Sequence, residues 1–370
     1  MTEFTGAFPA PTWTPPAREP FVPLRPLTLG QVLAGSFRAL RHNPAVTLGP
    51  AIVISLLAML ASTTFGLFVI APLITASGSS IGPAGPAMWL AGFGASTLGW
   101  IVDRAFAQGA GALQQGVSAV DISHAVVGRR LTPGGLRRRT RGIRAPLIGW
   151  TVIVVLATTV VGGLALAALG LVAAYDPVGG VVAGFLIYPL VGVLLAWIGT
   201  KLAVVPSALV IERLRLGAGI RRSWRLTRRN FWRVFGIRIL TWAMIWMATA
   251  LVAIPVQLLV QWLTGILAGN GDISDSLAIS DIGSIVTAIV AAVIGAIGLV
   301  ITTSTDAILY LDLRMRHEGL DLELGRFMEQ RRATTRFDPA EPDPYRPPAD
   351  VAPRQIRPAV DTEHQGSAWG

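Results

Sequence analysis

The chain has 370 residues, 52% of them hydrophobic and only 14% charged, with a net charge of +10 and a mean hydropathy of +0.58. A soluble chain carries roughly a quarter charged residues, so the deficit points to apolar runs of about 20 residues each, long enough to cross a bilayer. With no cysteine, disulfides, iron–sulfur clusters and thiolate zinc sites are excluded.

The basic residues fall in blocks: four in 1–45, seven in 121–146, ten in 201–238 and nine in 312–370, with Arg104 apart from them. None lies in 46–103, 147–200 or 239–313. Alternation of this kind is the positive-inside pattern of a multi-pass membrane protein. It argues against nucleic acid as the partner, because a binding patch needs a folded soluble domain to carry it.

In chain order, residues 1–23 contain Pro9, Pro11, Pro15, Pro16, Pro20 and Pro23 and read as a disordered arm. An amphipathic segment from Leu27 to Asn43 follows, with Leu29, Leu33, Phe37 and Leu40 spaced for one face. The membrane domain is placed at 24–325, with six spans at about 46–75, 87–120, 146–174, 180–210, 234–267 and 282–311. Span two exceeds what a bilayer requires and is tilted, broken or preceded by an interfacial piece. A basic loop fills 128–144, and Tyr175 to Gly179 reads as a tight turn. Span six is expected to run on into a charged helix from Asp312 to about Arg332. Residues 333–370, with Pro339, Pro342, Pro344, Pro347 and Pro348, form a second disordered arm. With the arginine-rich segments inside, both termini are expected to be cytoplasmic, in a bacterial plasma membrane.

The stretch from Leu214 to Gly236 dominates this pattern. Wound as one helix, it aligns Ile220, Trp224, Thr227, Phe231 and Phe235 on one stripe. Arg221, Arg222, Arg225, Arg228, Arg229 and Arg233 fall on the other side. An aromatic face opposed to an arginine face, between apolar spans, belongs at a membrane surface and would gather anionic lipid.

A shift of 187 residues lays Leu27, Leu29 and Gly30 on Leu214, Leu216 and Gly217. It also pairs Ser36-Phe37-Arg38 with Ser223-Trp224-Arg225, and Asn43 with Asn230. A shift of 104 lays Leu27-Thr28 and Gly30 on Leu131-Thr132 and Gly134. The fold expected is therefore all-α: three quasi-repeated units, each an interfacial helix followed by a transmembrane hairpin.

Three segments, residues 23–38, 222–233 and 310–322, carry a resemblance. Together they resemble actinobacterial integral membrane proteins with the glycerophosphoryl diester phosphodiesterase membrane domain. The resemblance covers about residues 21–325 and implies the membrane part alone. The catalytic domains that accompany such segments resemble a TIM barrel with a His-Arg-Gly start and a Glu-x-Asp metal pair. Here His42 sits in Arg-His-Asn-Pro instead, and no room remains for a barrel of roughly 250 residues.

Ionisable residues inside apolar runs are functional candidates. Asp103 and Arg104 lie well within the second run, and as neighbours on a helix they point about 100° apart. Lys201 and Asp306 fall at similar depth near the inner boundary, where they are placed to pair across helices or, for the lysine, to snorkel. Asp121 and His124 share a helix face at i,i+3. Arg314 and Arg316 are expected near lipid phosphates, with Glu318 bridging to a basic interfacial helix. No nucleophile–base pair, metal cluster or phosphate loop is present in the sequence, so no catalytic residue, metal or cofactor is expected. The sequence reads first as a non-catalytic scaffold or accessory protein that engages anionic lipid and reaches a cytoplasmic protein partner through its proline-rich termini. A transporter or lipid-translocating protein is the alternative. A membrane-associated glycerophosphodiester hydrolase, carried only by the resemblance, comes third.

Overall fold

The computed structural model describes residues 21–70, 72, 86–126, 144–268, 273–333 and 345. Among these the chain is helical, without a strand. The helices are α1 (Leu29–His42), α2 (Pro44–Phe65, continued by a π-helical turn, Gly66–Ile70), α3 (Pro86–Val126), α4 (Arg144–Tyr175) and α5 (Pro177–Lys201). Then come α6 (Val205–Ile211), α7 (Leu216–Arg228), α8 (Phe231–Ala268), α9 (Ile273–Glu318) and α10 (Leu320–Ala333).

Local chemistry sets the breaks. Thr28 caps α1, its hydroxyl accepting from the Gln31 N–H while the Gln31 side chain accepts from the Thr28 N–H, a reciprocal box that satisfies two orphan donors. Asn43 precedes Pro44 and is driven out of helical geometry (φ −150°, ψ 71°), while Pro44 opens α2, where its missing N–H is harmless. Between α4 and α5 the Asp176 carboxylate accepts from the N–H groups of Val178 and Gly179 at 3.0 and 2.9 Å. The turn is so tight that a Cβ at Gly180 would lie 2.7 Å from that of Ala173.

Five helices are long and apolar enough to cross a membrane: Pro44–Val69, Ala145–Ala173, Val178–Ile211, Phe231–Ile266 and Ile285–Glu318. Their apolar windows remain largely uncovered by the rest of the chain; in the first and fourth, none of the window is buried. The packed core lies elsewhere. It gathers Leu27 and Val32, the end of α3 (Ile122, Val126), Ala208, Val210 and Ile211 of α6, Leu226 of α7, Val234 and Ile237 at the start of α8, and residues 307–311 of α9. Starts of some helices and ends of others meet there, so the core sits at one end of the bundle, the end that carries the arginines. Central to it are α9, packed on α1, α2, α3 and α8, and α3, packed on α2, α4, α6 and α9.

Several expectations are corrected. The 214–236 stretch is not one helix: α7 stops at Arg228, and α8 starts at Phe231 after a turn in which the Asn230 N–H donates to the Thr227 carbonyl. The expected span 180–210 falls within the candidate Val178–Ile211, but a turn at 202–204 separates α5 from the buried helix α6 inside it. The charged helix after span six is broken at Gly319, whose φ of +67° no β-carbon-bearing residue adopts readily. The stretch expected as span two lies within one unbroken helix of 41 residues, α3, which is not among the five helices long and apolar enough to cross a membrane. The basic loop up to 143, the middle copy of the repeat and most of both proline-rich arms lie outside the described residues.

Tyr345 of the C-terminal arm is a described exception. It is 4% exposed within the main core, and its hydroxyl donates at 2.8 Å to the Ser123 carbonyl. That carbonyl lies in the last described turn of α3. Removing the hydroxyl in Tyr345→Phe is expected to lower stability by about 1 kcal/mol. Tyr345→Ala, which also empties a packed aromatic site, is expected to cost about 3–5 kcal/mol. Thermal unfolding in detergent, monitored by helical circular dichroism, distinguishes the two.

Candidate functional site

The site is built on α7. Its buried stripe is Gly219, Ser223, Leu226 and Thr227, one step around from the predicted aromatic stripe. Small size and hydroxyls explain the choice. A Cβ at Gly219 would lie 2.6 Å from the Leu209 side chain of α6, and the Ser223 and Thr227 hydroxyls donate to the Lys201 carbonyl at 2.8 and 3.1 Å. That carbonyl ends α5, so α7 caps the span it follows.

This docking turns the other side of α7 outward. Arg221, Trp224, Arg225, Arg228 and Arg229 are exposed. Ile220, Arg221, Trp224, Arg225 and Arg228 line a shallow recess of about 360 Å³ with apolar walls. Arginine and aromatic side chains thus share one outward surface rather than opposing each other. Trp224 meets Trp197 of α5 edge-on at 5.7 Å, and the Lys201 ammonium lies 5.7 Å from the Trp224 ring centre and 5.0 Å from that of Phe231.

The remaining two predicted lipid arginines are engaged by carboxylates. Arg222 reaches Glu212 at 2.8 Å and Glu318 at 2.5 Å. Burial works against its charge, but the hydrogen bonds to Glu318 and Glu212 outweigh it and hold the guanidinium above its ordinary value. Arg233 reaches Asp312 at 3.3 Å and donates to the Leu27 carbonyl at 2.6 Å.

Both groups converge on the end of α9, which carries two ion-pair faces. On one, Tyr310 donates to Glu212, and Arg314 lies 3.5 Å from Glu212 and 3.0 Å from Glu318. On the other, Arg316 lies 3.0 Å from the fully buried Asp312 and donates to the Leu27 carbonyl at 2.7 Å. The Leu27 N–H donates to Asp312 at 2.7 Å, so both backbone polar groups of this one residue are held by α8 and α9. The expected bridge from Glu318 to the basic helix is present. Arg314 is buried among protein groups rather than at lipid phosphates.

The other candidates separate. Asp306 pairs with Arg238 at 2.9 Å, not with Lys201. Asp103 and Arg104 lie on the exposed side of α3, where Asp103 accepts from the Ser62 hydroxyl at 2.7 Å. Asp121 accepts from the Asn43 amide at 3.3 Å, while the His124 ring meets the Val120 carbonyl at 2.8 Å. No group of three or more potential metal ligands occurs among the described residues. Sequence reasoning missed Glu212, Tyr310 and Arg238. Glu212 had a signal: it is the one acidic residue between Asp176 and Asp272, set among arginines that need a partner.

Asp312→Ala removes the carboxylate shared by Arg233, Arg316 and the Leu27 N–H. Breaking a buried pair from one side costs about 3–5 kcal/mol. The expected outcome is a matching loss of detergent-phase stability, with faster proteolysis near residue 27 as the N-terminal segment is released; unchanged protection there contradicts the assignment.

No protein-family profile, no curated protein and no solved structure matches this chain.

Proposed function

We propose that the protein is a six-span scaffold of a bacterial plasma membrane that does no chemistry of its own and holds anionic phospholipid against its cytoplasmic, arginine-rich end. The observation that carries this reading is the outward surface of α7, where Arg221, Arg225 and Arg228 flank Ile220 and Trp224 around a recess. None of these arginines has a carboxylate within ion-pair distance among the described residues, whereas Arg222 and Arg233 do. A cationic rim on an apolar floor suits a headgroup and the first carbons of its chains.

The six-span count takes α3 as the remaining crossing. At about 1.5 Å per residue it is long enough, and three hairpins, α2–α3, α4–α5 and α8–α9, account for a core made of alternating helix starts and ends. The repeat is supported by register: α1 and α7 begin 187 residues apart, as do α2 and α8. Val32, Ser36 and Ala39 are buried on α1, and their counterparts Gly219, Ser223 and Leu226 are buried on α7. The proline-rich arms remain the proposed reach to a cytoplasmic protein partner. Transport is the weaker reading, because Asp306 is already neutralised by Arg238 and Asp103 faces away from the core. Membership of the phosphodiesterase membrane-domain family rests on the three resembling segments and implies no hydrolysis here.

The test uses the full chain with Arg221, Arg225 and Arg228 all changed to Gln. Each arginine near an anionic surface contributes on the order of 1 kcal/mol before screening. Native mass spectrometry is expected to show at least about tenfold weaker phosphatidylglycerol uptake, with phosphatidylcholine uptake unchanged. Equal phosphatidylglycerol uptake by variant and parent refutes the proposal.

A further inference from the structure

Lys201 is the chain's one lysine, and its surroundings differ from those of the neighbouring paired cations. The residue is 7% exposed. Arg222, Arg233, Arg238, Arg314 and Arg316 each have a carboxylate at 3.3 Å or closer. Among the described residues the Lys201 ammonium has none, nor any hydrogen-bond acceptor; its contacts are the faces of Trp224 and Phe231. An ammonium carries three donors and no acceptor. Two aromatic faces contribute about 0.5–2 kcal/mol each, and the C-terminus of α5 adds a favourable dipole. Neither supplies an oxygen acceptor to the ammonium at the tip of this largely buried side chain.

We infer that Lys201 anchors a discrete site for the phosphodiester of a phospholipid, seated between α5, α7 and the start of α8. This rests on the lipid-engaging reading above and adds to its diffuse arginine surface one tight position. Three features select a lipid phosphate. Lys201 closes α5, the place where a span meets the headgroup layer. Trp224 against it, Trp197 packed on Trp224 and Trp232 packed on Phe231 are 40%, 43% and 78% exposed, the disposition of an interfacial aromatic belt. Below them α5 presents Leu190 and Val193 outward at 70% and 68% exposure, an apolar track for an acyl chain. A phosphate bearing its own hydrocarbon brings the missing acceptor to this depth and covers that track. Ser223 and Thr227 act as positioning residues, since their bonds to the Lys201 carbonyl fix where the lysine stem leaves the backbone.

The experiment uses the full-length protein in native mass spectrometry, titrated with phosphatidylglycerol, with phosphate-free diacylglycerol and with inorganic phosphate. The parent is expected to keep one phosphatidylglycerol through collisional activation that strips the others. Lys201→Met is expected to lower that occupancy at least about tenfold, the scale of a lost charge-assisted contact, while Lys201→Arg retains it. The triple arginine variant keeps this one lipid and loses the weaker ones, so failure of the arginine surface and failure of the lysine site read out separately. Unchanged retention in Lys201→Met overturns the inference, as does equal occupancy by diacylglycerol. Displacement of the lipid by inorganic phosphate marks a free-anion site and overturns it too. Loss in both lysine variants together with a lowered unfolding temperature assigns Lys201 to packing and likewise overturns it.

Discussion

A carboxylate with no exposure to water, Asp312, is the constraint on which the arginine-rich end depends. An ion buried to this extent is tolerated only when charges and donors surround it, and here they come from three separate parts of the chain. Arg316 comes from the same helix, Arg233 from the start of α8, and the Leu27 N–H from just before α1. Both guanidinium groups also close on the Leu27 carbonyl. The entry to the first helix is therefore tied to the last two long helices, across nearly three hundred residues of sequence. On the opposite face of α9, Glu212 and Glu318 perform the same service for Arg222 and Arg314, fastening α6 and α7. With periods of four residues, α9 offers Tyr310, Arg314 and Glu318 to one side and Asp312 and Arg316 to the other.

These ionic contacts sit where the aqueous boundary is near, and the apolar lengths of the spans contribute little to the core. That division follows from the solvent. In a bilayer, hydrocarbon next to leucine or valine is no worse a neighbour than another helix, so the hydrophobic effect does not pull spans together. What holds them is close approach at small residues and polar contacts. Gly298 of α9 would bring a Cβ to 2.6 Å from Ile245 of α8, and Gly162 of α4 to 2.8 Å from Ile101 of α3. Ser118 and Ser36 meet Thr303 and Thr305 of α9 through buried hydroxyl pairs at 2.9 and 2.8 Å. The bundle is fastened at one end by charge and along its length by small-residue contact.

The sequence exposes the membrane character, the long apolar helices and the amphipathic segments, because periodicity and charge exclusion are local properties. The helix break at Asn43 is announced by the proline that follows it, and the amphipathic segment is expected to end there. The breaks at Arg229 and Gly319 were harder, because each lies inside a continuous amphipathic or charged pattern that invites a longer helix. Which face of α7 is buried was not legible from hydrophobicity, since the winning stripe is chosen by fit to Leu209 and by the open carbonyl of Lys201. Pair identities were least legible. Lys201 and Asp306 have matching depth, but depth does not fix rotation about a helix axis, and Arg238 stands on the correct face of the adjacent helix.

Counting arginines beside a span conflates two physical roles that the fold separates. Arg222, Arg233, Arg314 and Arg316 are consumed by carboxylates, and their planar forks suit contacts to two acceptors at once. Among the described residues Arg221, Arg225 and Arg228 have no carboxylate within ion-pair distance, and they project from the same short helix. The separation follows from the stripe on which α7 docks: a helix seated by Gly219, Ser223 and Thr227 must present Arg222 inward toward Glu212 and Glu318 and the other arginines outward. Topology would be served by all of them equally, since it depends only on the side of the membrane. The lipid recognition we propose depends on the rotation of α7, and that rotation is set by two hydroxyls and the absence of one β-carbon.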